Sequence, residues 1–191
     1  WDPTAKNSWV DGRTTDNLTM MRNTAVYLMA EETGNKAVAE IYAKKLRRFA
    51  AAIYRAGNGE WDSENYLGHT ITPLFNVYDF AKDKELRGTA KAMLDWLFMA
   101  AAVKYFDGGA NGPNARDYNH IQPFGGSLAE MAWICFLAPK NPNGFEYDVV
   151  HAITSGYTPP PAVINLGTNN FDRPRELLNS KPPYHEPQAG D

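Results

Sequence analysis

The chain has 191 residues, enough for one domain with a sizeable core, and its 43% hydrophobic and 21% charged residues are typical of a globular protein. The net charge of −3, with no basic cluster larger than the KKLRR of residues 44–48, argues against nucleic acid as a partner. No apolar stretch reaches the roughly 18 residues that a membrane-spanning helix needs, so the sequence also argues against a membrane partner.

The first predicted elements are two helices joined by a short turn. Asp16 or Thr15 can cap a helix that runs to about Glu32, and Gly34 follows its end. Apolar residues at helical spacing then predict a second helix over about 36–56. Because the turn between them is short, we expect the two helices to pack as an antiparallel hairpin.

The same pattern recurs in the next part of the chain. Ser63 can cap a helix that runs to about Ala81, and a short turn leads to a further helix over about 85–105. A shift of 48 residues places Leu46 on Leu94, so the two halves share one period. Two hairpins of equal period predict an array of antiparallel helix pairs.

The rest of the chain is less regular. Residues 106–126 contain five Gly and two Pro and are predicted to form a long loop, of a kind that is often functional. Helices over about 127–137 and 147–155 would complete a third hairpin. No strand signal is strong enough to predict a sheet, so the predicted fold class is all-α. We divide the chain into a helical domain at 1–158 and a proline-rich C-terminal extension at 159–191.

A dense polar cluster, GEWDSENYLGHT, occupies residues 59–70. Asp62, Ser63 and Glu64 fall near the first turn of the predicted third helix. Acidic and hydroxyl side chains at that position favour the helix dipole and its unpaired amides. That role is sufficient to explain these three residues without any chemistry.

Three further residues of this cluster are stronger candidates for a function. Asn65 and His69 are four residues apart and share one face of the predicted helix, at the border of its buried side. Tyr66 lies beside them in the sequence. A group of His, Asn and Tyr at the lip of a helix bundle can hold a polar ligand, although a half-buried histidine is also often only hydrogen-bonded within the fold.

A second polar cluster lies in the predicted long loop, in the sequence NARDYNHIQ of residues 114–122. It contains five residues of varied chemistry: Arg116, Asp117, Tyr118, Asn119 and His120. Such residues on a long loop are a stronger functional signal than the same residues on a helix face. The alternative is that Arg116 and Asp117 pair with each other or cap the next helix.

The helical hairpins and the stretch GEWDSENYLGHTITPLFNVYDFAKD, at residues 59–83, resemble the incomplete α/α toroid of heparinase II/III-like and alginate-lyase-like polysaccharide lyases. The later stretches SGYTPPPAVINL and ELLNSKPPYHE are similar to the end of such a toroid, where these enzymes usually continue into a β-sandwich domain. The resemblance implies a partial α/α toroid that cleaves a uronate-containing polysaccharide by β-elimination. Because the chain has room for only about three hairpins, we expect it to be a piece of a larger enzyme.

The resemblance also implies roles for individual residues. In β-elimination a neutral or cationic group stabilises the sugar carboxylate, and His or Tyr transfers the protons. Asn65 or Arg116 would take the first role. The second role has four candidates: His69, Tyr66, Tyr118 and His120. Five more residues are expected to contact a polysaccharide or oligosaccharide substrate: Trp9, Trp61, Asp62, Glu64 and Asp117. Neither a metal ion nor another cofactor is expected.

Two other functions fit the same residues. A glycoside hydrolase on a similar toroid would use two carboxylates about 5–9 Å apart as acid and base or nucleophile. The available carboxylates are Glu60, Asp62, Glu64 and Asp117. A non-catalytic module would instead bind glycan or protein through exposed aromatic residues. Its candidates are Trp9, Trp61 and Tyr118.

Two further expectations concern the location and the oligomeric state. The chain opens with Trp, which indicates a processed or cut N-terminus, and we expect a secreted or periplasmic location. A short helical array with an open end would expose apolar surface. A homo-oligomer is therefore expected, unless further chain covers this surface.

Overall fold

A computed structural model describes residues 15–60, 62–110, 126–138 and 148–172 of the chain. Helices make up 73% of these residues, so the prediction of an all-α fold is confirmed. Among the described residues no helix combines the length and apolarity needed to cross a membrane.

The described residues form seven helices and one very short hairpin of two strands. The helices are α1 (Asp16–Glu32), α2 (Lys36–Ala56), α3 (Tyr66–Phe80), α4 (Lys84–Lys104), α5 (Ser127–Phe136), α6 (Val149–Thr154) and α7 (Pro161–Gly167). The antiparallel strands are β1 (Tyr105–Phe106) and β2 (Gly109–Ala110). This hairpin was not predicted, and its second strand occupies the beginning of the predicted long loop.

Helix α3 begins later than the sequence pattern predicts. The hydroxyl of Ser63 accepts a hydrogen bond from the backbone N–H of Tyr66 at 2.9 Å, as a helix cap does. The residues between them form a turn, and regular helix geometry starts only at Tyr66. The hydroxyl of Ser63 therefore caps the start of α3, as predicted, although Ser63 lies three residues before the helix and Asn65 occupies the N-cap position itself.

Helix α7 lies in the segment that the sequence analysis interpreted as a proline-rich extension. Its first residue is Pro161, a position where the missing N–H of proline costs nothing. The helix packs against α4 and α5, and Gly167 lies against the ring of Phe136. The prolines that suggested an irregular segment here mark a helix start instead.

The helices pack in two sets, with α1, α3 and α5 in one and α2, α4 and α7 in the other. Helix α3 contacts α1 on one side and α5 on the other, while α4 contacts α2 and α7. Consecutive helices also pair, α1 with α2, α3 with α4, and α5 with α6. The buried core between the sets contains large aromatic side chains: Tyr27, Tyr42, Phe75, Phe98 and Phe136. An open groove of about 430 Å³ between α1 and α2 is lined mainly by apolar side chains, among them Val26, Met29 and Val38.

The start of α5 approaches α3 very closely at Gly68. A Cβ atom added to Gly68 would lie 2.3 Å from the Cβ of Ser127 and 3.2 Å from the backbone nitrogen of Leu128. Only glycine leaves room for this contact. It brings the N-terminus of α5 beside the residue that precedes His69.

Substitution of Gly68 by alanine is expected to lower the free energy of unfolding by about 1–3 kcal/mol, because α5 has to move away from α3. Gly88→Ala is the matched control, since this exposed glycine in α4 has nothing within 4 Å of an added Cβ. The control should raise the free energy of unfolding by about 0.5–1 kcal/mol through helix propensity. Urea unfolding measures both, and equal effects of the two substitutions would contradict the close packing.

Candidate functional site

The predicted site residues fall into two groups. Six lie outside the described residues: Trp9, Trp61, Arg116, Asp117, Tyr118 and His120. Their predicted roles stay predictions. The other five lie within seven residues of one another at the start of α3: Asp62, Glu64, Asn65, Tyr66 and His69.

The segment that precedes α3 is tied to the N-terminus of α1. The Asp16 carboxylate accepts a hydrogen bond from the backbone N–H of Gly59 at 2.6 Å. In return, the Glu60 carboxylate accepts one from the backbone N–H of Asn17 at 3.0 Å. Burial raises the pKa of Asp16, and the amides of Gly59 and Glu60 partly offset that effect. Glu60 is thus a cap for a helix that begins 44 residues before it.

Glu64 makes the corresponding tie to the N-terminus of α5. Its carboxylate accepts a hydrogen bond from the backbone N–H of Ala129 at 2.9 Å, and its backbone carbonyl accepts one from Leu128, also at 2.9 Å. The side chain is almost fully buried. Burial and the charge of Glu64 together raise the pKa of Tyr105 to about 12.

Asp62 is held by a different element. Its carboxylate forms a buried ion pair with the Lys104 ammonium at the end of α4. The backbone of Asp62 is left-handed, with φ of 56°, a conformation in which aspartate is one of the better tolerated residues. The interpretation of Asp62 and Glu64 as residues that serve the first turn of α3 is therefore incomplete, because both are buried and bind other helices.

His69 lies at the junction of α3, α5 and α6. Its Nδ1 atom is hydrogen-bonded to the carboxylate of Asp148, the residue that precedes α6. The same carboxylate oxygen accepts a hydrogen bond from the hydroxyl of Ser127, the first residue of α5, at 2.9 Å. The His69 side chain is 32% exposed and that of Asp148 is 17% exposed. A largely buried carboxylate thus holds an imidazole that still reaches the surface.

The other two predicted residues of α3 lie beside His69. Tyr66 is one turn earlier, and its ring meets the imidazole edge-on with 6.2 Å between ring centres. Asn65 is the N-cap residue of the same helix and is half-buried, as Tyr66 and His69 are. Asn65, Tyr66 and His69 therefore lie close together at the start of α3, and each is partly exposed.

Two further contacts fix the segment 148–156 against α3. The Nδ1 atom of His151 is 3.2 Å from the Oδ1 atom of Asn76, and the carboxylate of Asp79 accepts a hydrogen bond from the backbone N–H of Gly156 at 3.1 Å. Together with the contact between His69 and Asp148 they form a polar seam along α3. The contacts of His151 and Gly156 lie after Asp148 in the chain, and neither involves the Asp148 carboxylate.

Opposing effects act on the pKa of Asp148. Burial raises it, whereas the hydrogen bonds from His69 and Ser127 and the charges of His69 and His151 lower it. The effects that lower the pKa of Asp148 are together the larger ones, so it lies below its ordinary value. Asp148 is therefore an ionised carboxylate near neutral pH, and it can only accept hydrogen bonds.

Neither Asp148 nor Ser127 was predicted from the sequence. Asp148 is 79 residues away from His69 in the chain, and no motif links the two. The only local signal for Ser127 is its position as a hydroxyl residue directly before an apolar helical pattern, which favours a helix start and no particular chemistry.

An imidazole that is bonded to a carboxylate and still reaches the surface can take up and release a proton. Within the described ranges no group of three or more His, Cys, Asp or Glu side chains is placed to hold a metal ion. Comparison of the chain with protein-family models, with curated proteins and with solved structures gave no match.

The lowered pKa of Asp148 predicts a pH-dependent contribution to stability. A carboxyl group whose pKa is lower in the folded state stabilises the fold above its unfolded pKa of about 3.9, and this contribution is lost as the pH falls through the folded value. Asp148→Asn is expected to lower the free energy of unfolding by about 1–3 kcal/mol at pH 7. In urea unfolding measured from pH 7 downwards, the free energies of unfolding of the two proteins should become equal below about pH 4. A difference that stays constant into strong acid would contradict the assigned interaction.

Proposed function

We propose that this chain is the helical part of a polysaccharide lyase and that it cleaves a uronate-containing polysaccharide by β-elimination. The observation that carries the proposal is the His69 imidazole, held by the Asp148 carboxylate and partly exposed beside Tyr66. The reaction needs a base that removes the proton next to the sugar carboxylate and an acid that protonates the leaving oxygen. A histidine and a tyrosine that are partly exposed side by side on one helix are suited to these two tasks.

The roles divide between the three residues of α3. His69 removes the proton at C5 of the uronate, which leaves negative charge on the sugar carboxylate. Asn65 donates a hydrogen bond to that carboxylate and stabilises the charge as it develops. Tyr66 donates its proton to the glycosidic oxygen as the bond to C4 breaks. The products are an unsaturated uronate and a new sugar end.

The hydrolase alternative has less support. Such an enzyme needs two carboxylates that face a cleft. Glu60, Asp62 and Glu64 are each less than 5% exposed, and their carboxylates bind the amides of α1, the Lys104 ammonium and the amides of α5 respectively. Carboxylates used in this way are poorly placed to act on a sugar, which favours chemistry at His69.

The packing of the helices agrees with the proposed partial α/α toroid. In a toroid the inner helices contact one another, and α1, α3 and α5 do so in chain order. The N-termini of these three helices meet at the segment 59–64, the end where Asn65 and Tyr66 lie. A polysaccharide or oligosaccharide substrate would bind at this end, and we retain a secreted or periplasmic location as part of the proposal.

The decisive experiment is an assay of the full chain on alginate, heparan sulfate, hyaluronan and pectate. Ultraviolet absorbance of the unsaturated product should rise with one of them. His69→Ala should lower kcat by about 10²–10⁴-fold, because general base catalysis is lost. His151→Ala is the matched control, since this histidine also belongs to the polar seam along α3 but bonds to Asn76. Its rate should stay near that of the unchanged protein.

Three results would contradict the proposal. New reducing ends without the ultraviolet signal would indicate hydrolysis. An equal loss of activity in both histidine variants would indicate that the seam acts only through the fold. Binding of a polysaccharide without any product would leave a glycan-binding module as the better account.

A further inference from the structure

Asp148 and Ser127 are not among the residues that the lyase resemblance implies, yet they determine how His69 is presented. The ionised Asp148 carboxylate has no proton to donate, so the nitrogen that contacts it must carry the hydrogen. That nitrogen is Nδ1. In a neutral imidazole only one nitrogen is protonated, and the hydrogen bond made by one nitrogen sets the state of the other.

We propose that Asp148 is a positioning residue for His69: by accepting the Nδ1 hydrogen, it places the lone pair on Nε2 and makes Nε2 the atom that receives the substrate proton. This inference rests on the proposed function for the identity of the substrate, but the tautomer itself does not. When Nε2 takes up the proton, the imidazolium forms against a carboxylate that is already in place. The reorganisation that a mobile base would need is thereby avoided.

Ser127 acts on Asp148 rather than on His69. Its hydroxyl donates to the same carboxylate oxygen that contacts Nδ1, and the side chain is almost fully buried. Its place is fixed by the close contact of Gly68 with the start of α5. The Asp148 carboxylate is thus held by Ser127 of α5 and by His69 of α3, so it cannot turn away without breaking contacts with two helices.

The arrangement differs from a nucleophilic triad. In a triad the serine hydroxyl bonds to the histidine, and the histidine bonds to the carboxylate on its other side. Here both Ser127 and His69 bond to the carboxylate. Ser127 is therefore oriented to hold Asp148, and the geometry assigns the chemistry to the imidazole.

The tautomer of His69 can be measured directly by ¹⁵N nuclear magnetic resonance of the full chain labelled at histidine. The chain has four histidines, and the His69→Gln variant identifies the signals of His69. At a pH where the ring is neutral, Nδ1 should be protonated and Nε2 should not. In Asp148→Asn an amide group can donate to Nδ1, so the preference for the Nδ1-protonated form should be lost.

Activity is the second readout. Asp148→Asn should lower kcat by about 10²-fold or more with little change in KM, because the base has the wrong tautomer. Asp79→Asn is the matched control, since Asp79 also ties α3 to the segment 148–156 but contacts the amide of Gly156. This substitution should leave both the His69 tautomer and kcat unchanged. A change in either one would indicate that the seam acts only through the stability of the fold.

The outcomes separate this inference from the proposed function. An Nε2-protonated ring in the unchanged protein would overturn the inference, even if Asp148→Asn fails to fold. The inference would also be overturned if a folded Asp148→Asn variant kept both the Nδ1-protonated tautomer of His69 and the kcat of the unchanged protein. If the chain acts on none of the polysaccharides, the proposed function fails, while an Nδ1-protonated His69 that depends on Asp148 would still establish the positioning role.

Discussion

The capping of helix N-termini by buried carboxylates from one short segment is the interaction on which this structure depends. The backbone amides at the start of a helix have no partner within the helix, and burying them unpaired is costly. Glu60 satisfies an amide of α1 and Glu64 satisfies one of α5, while Ser63 caps α3 itself. Because all three residues belong to the segment 59–64, three helix starts are brought to one place.

The candidate site is a consequence of that convergence. Residues that directly follow the segment, Asn65 and Tyr66, are presented where α3 begins, and His69 follows one turn later. Glu64 holds the start of α5, which carries Ser127. Ser127 in turn holds Asp148 against His69. The polar groups of the site are thus supported by backbone contacts between helices, and the acidic residues of the segment contribute by fixing those helices.

Much of the fold could be predicted from the sequence, because helical periodicity is a local property. The predicted bounds of α1, α2 and α4 are close to those observed, since these helices are long and end at clear turn signals. Helix α7 was missed because three consecutive prolines suggest an irregular chain. Whether such prolines begin a helix depends here on the packing of α7 against α4 and α5.

The site could be predicted only in part, for a related reason. His69 and Tyr66 share a helix, so their proximity follows from the helical repeat. Asp148 reaches His69 through tertiary packing, which no local pattern encodes. Likewise, an acidic residue before a helix looks the same whether it caps its own helix or another one. Glu64 was therefore interpreted as serving α3, whereas its carboxylate binds α5.

The ties made by the segment 59–64 also constrain the order in which the chain can fold. Asn17 and Glu60 are 43 residues apart, and Glu64 and Ala129 are 65 apart. Contacts of such separation require large loops to close, whereas the α1–α2 and α3–α4 pairs need only short turns. The helical hairpins can therefore form early, and the amides of Asn17 and Ala129 gain their partners only when the hairpins dock. The environment of His69 is completed at this late step, when α5 and α6 reach α3.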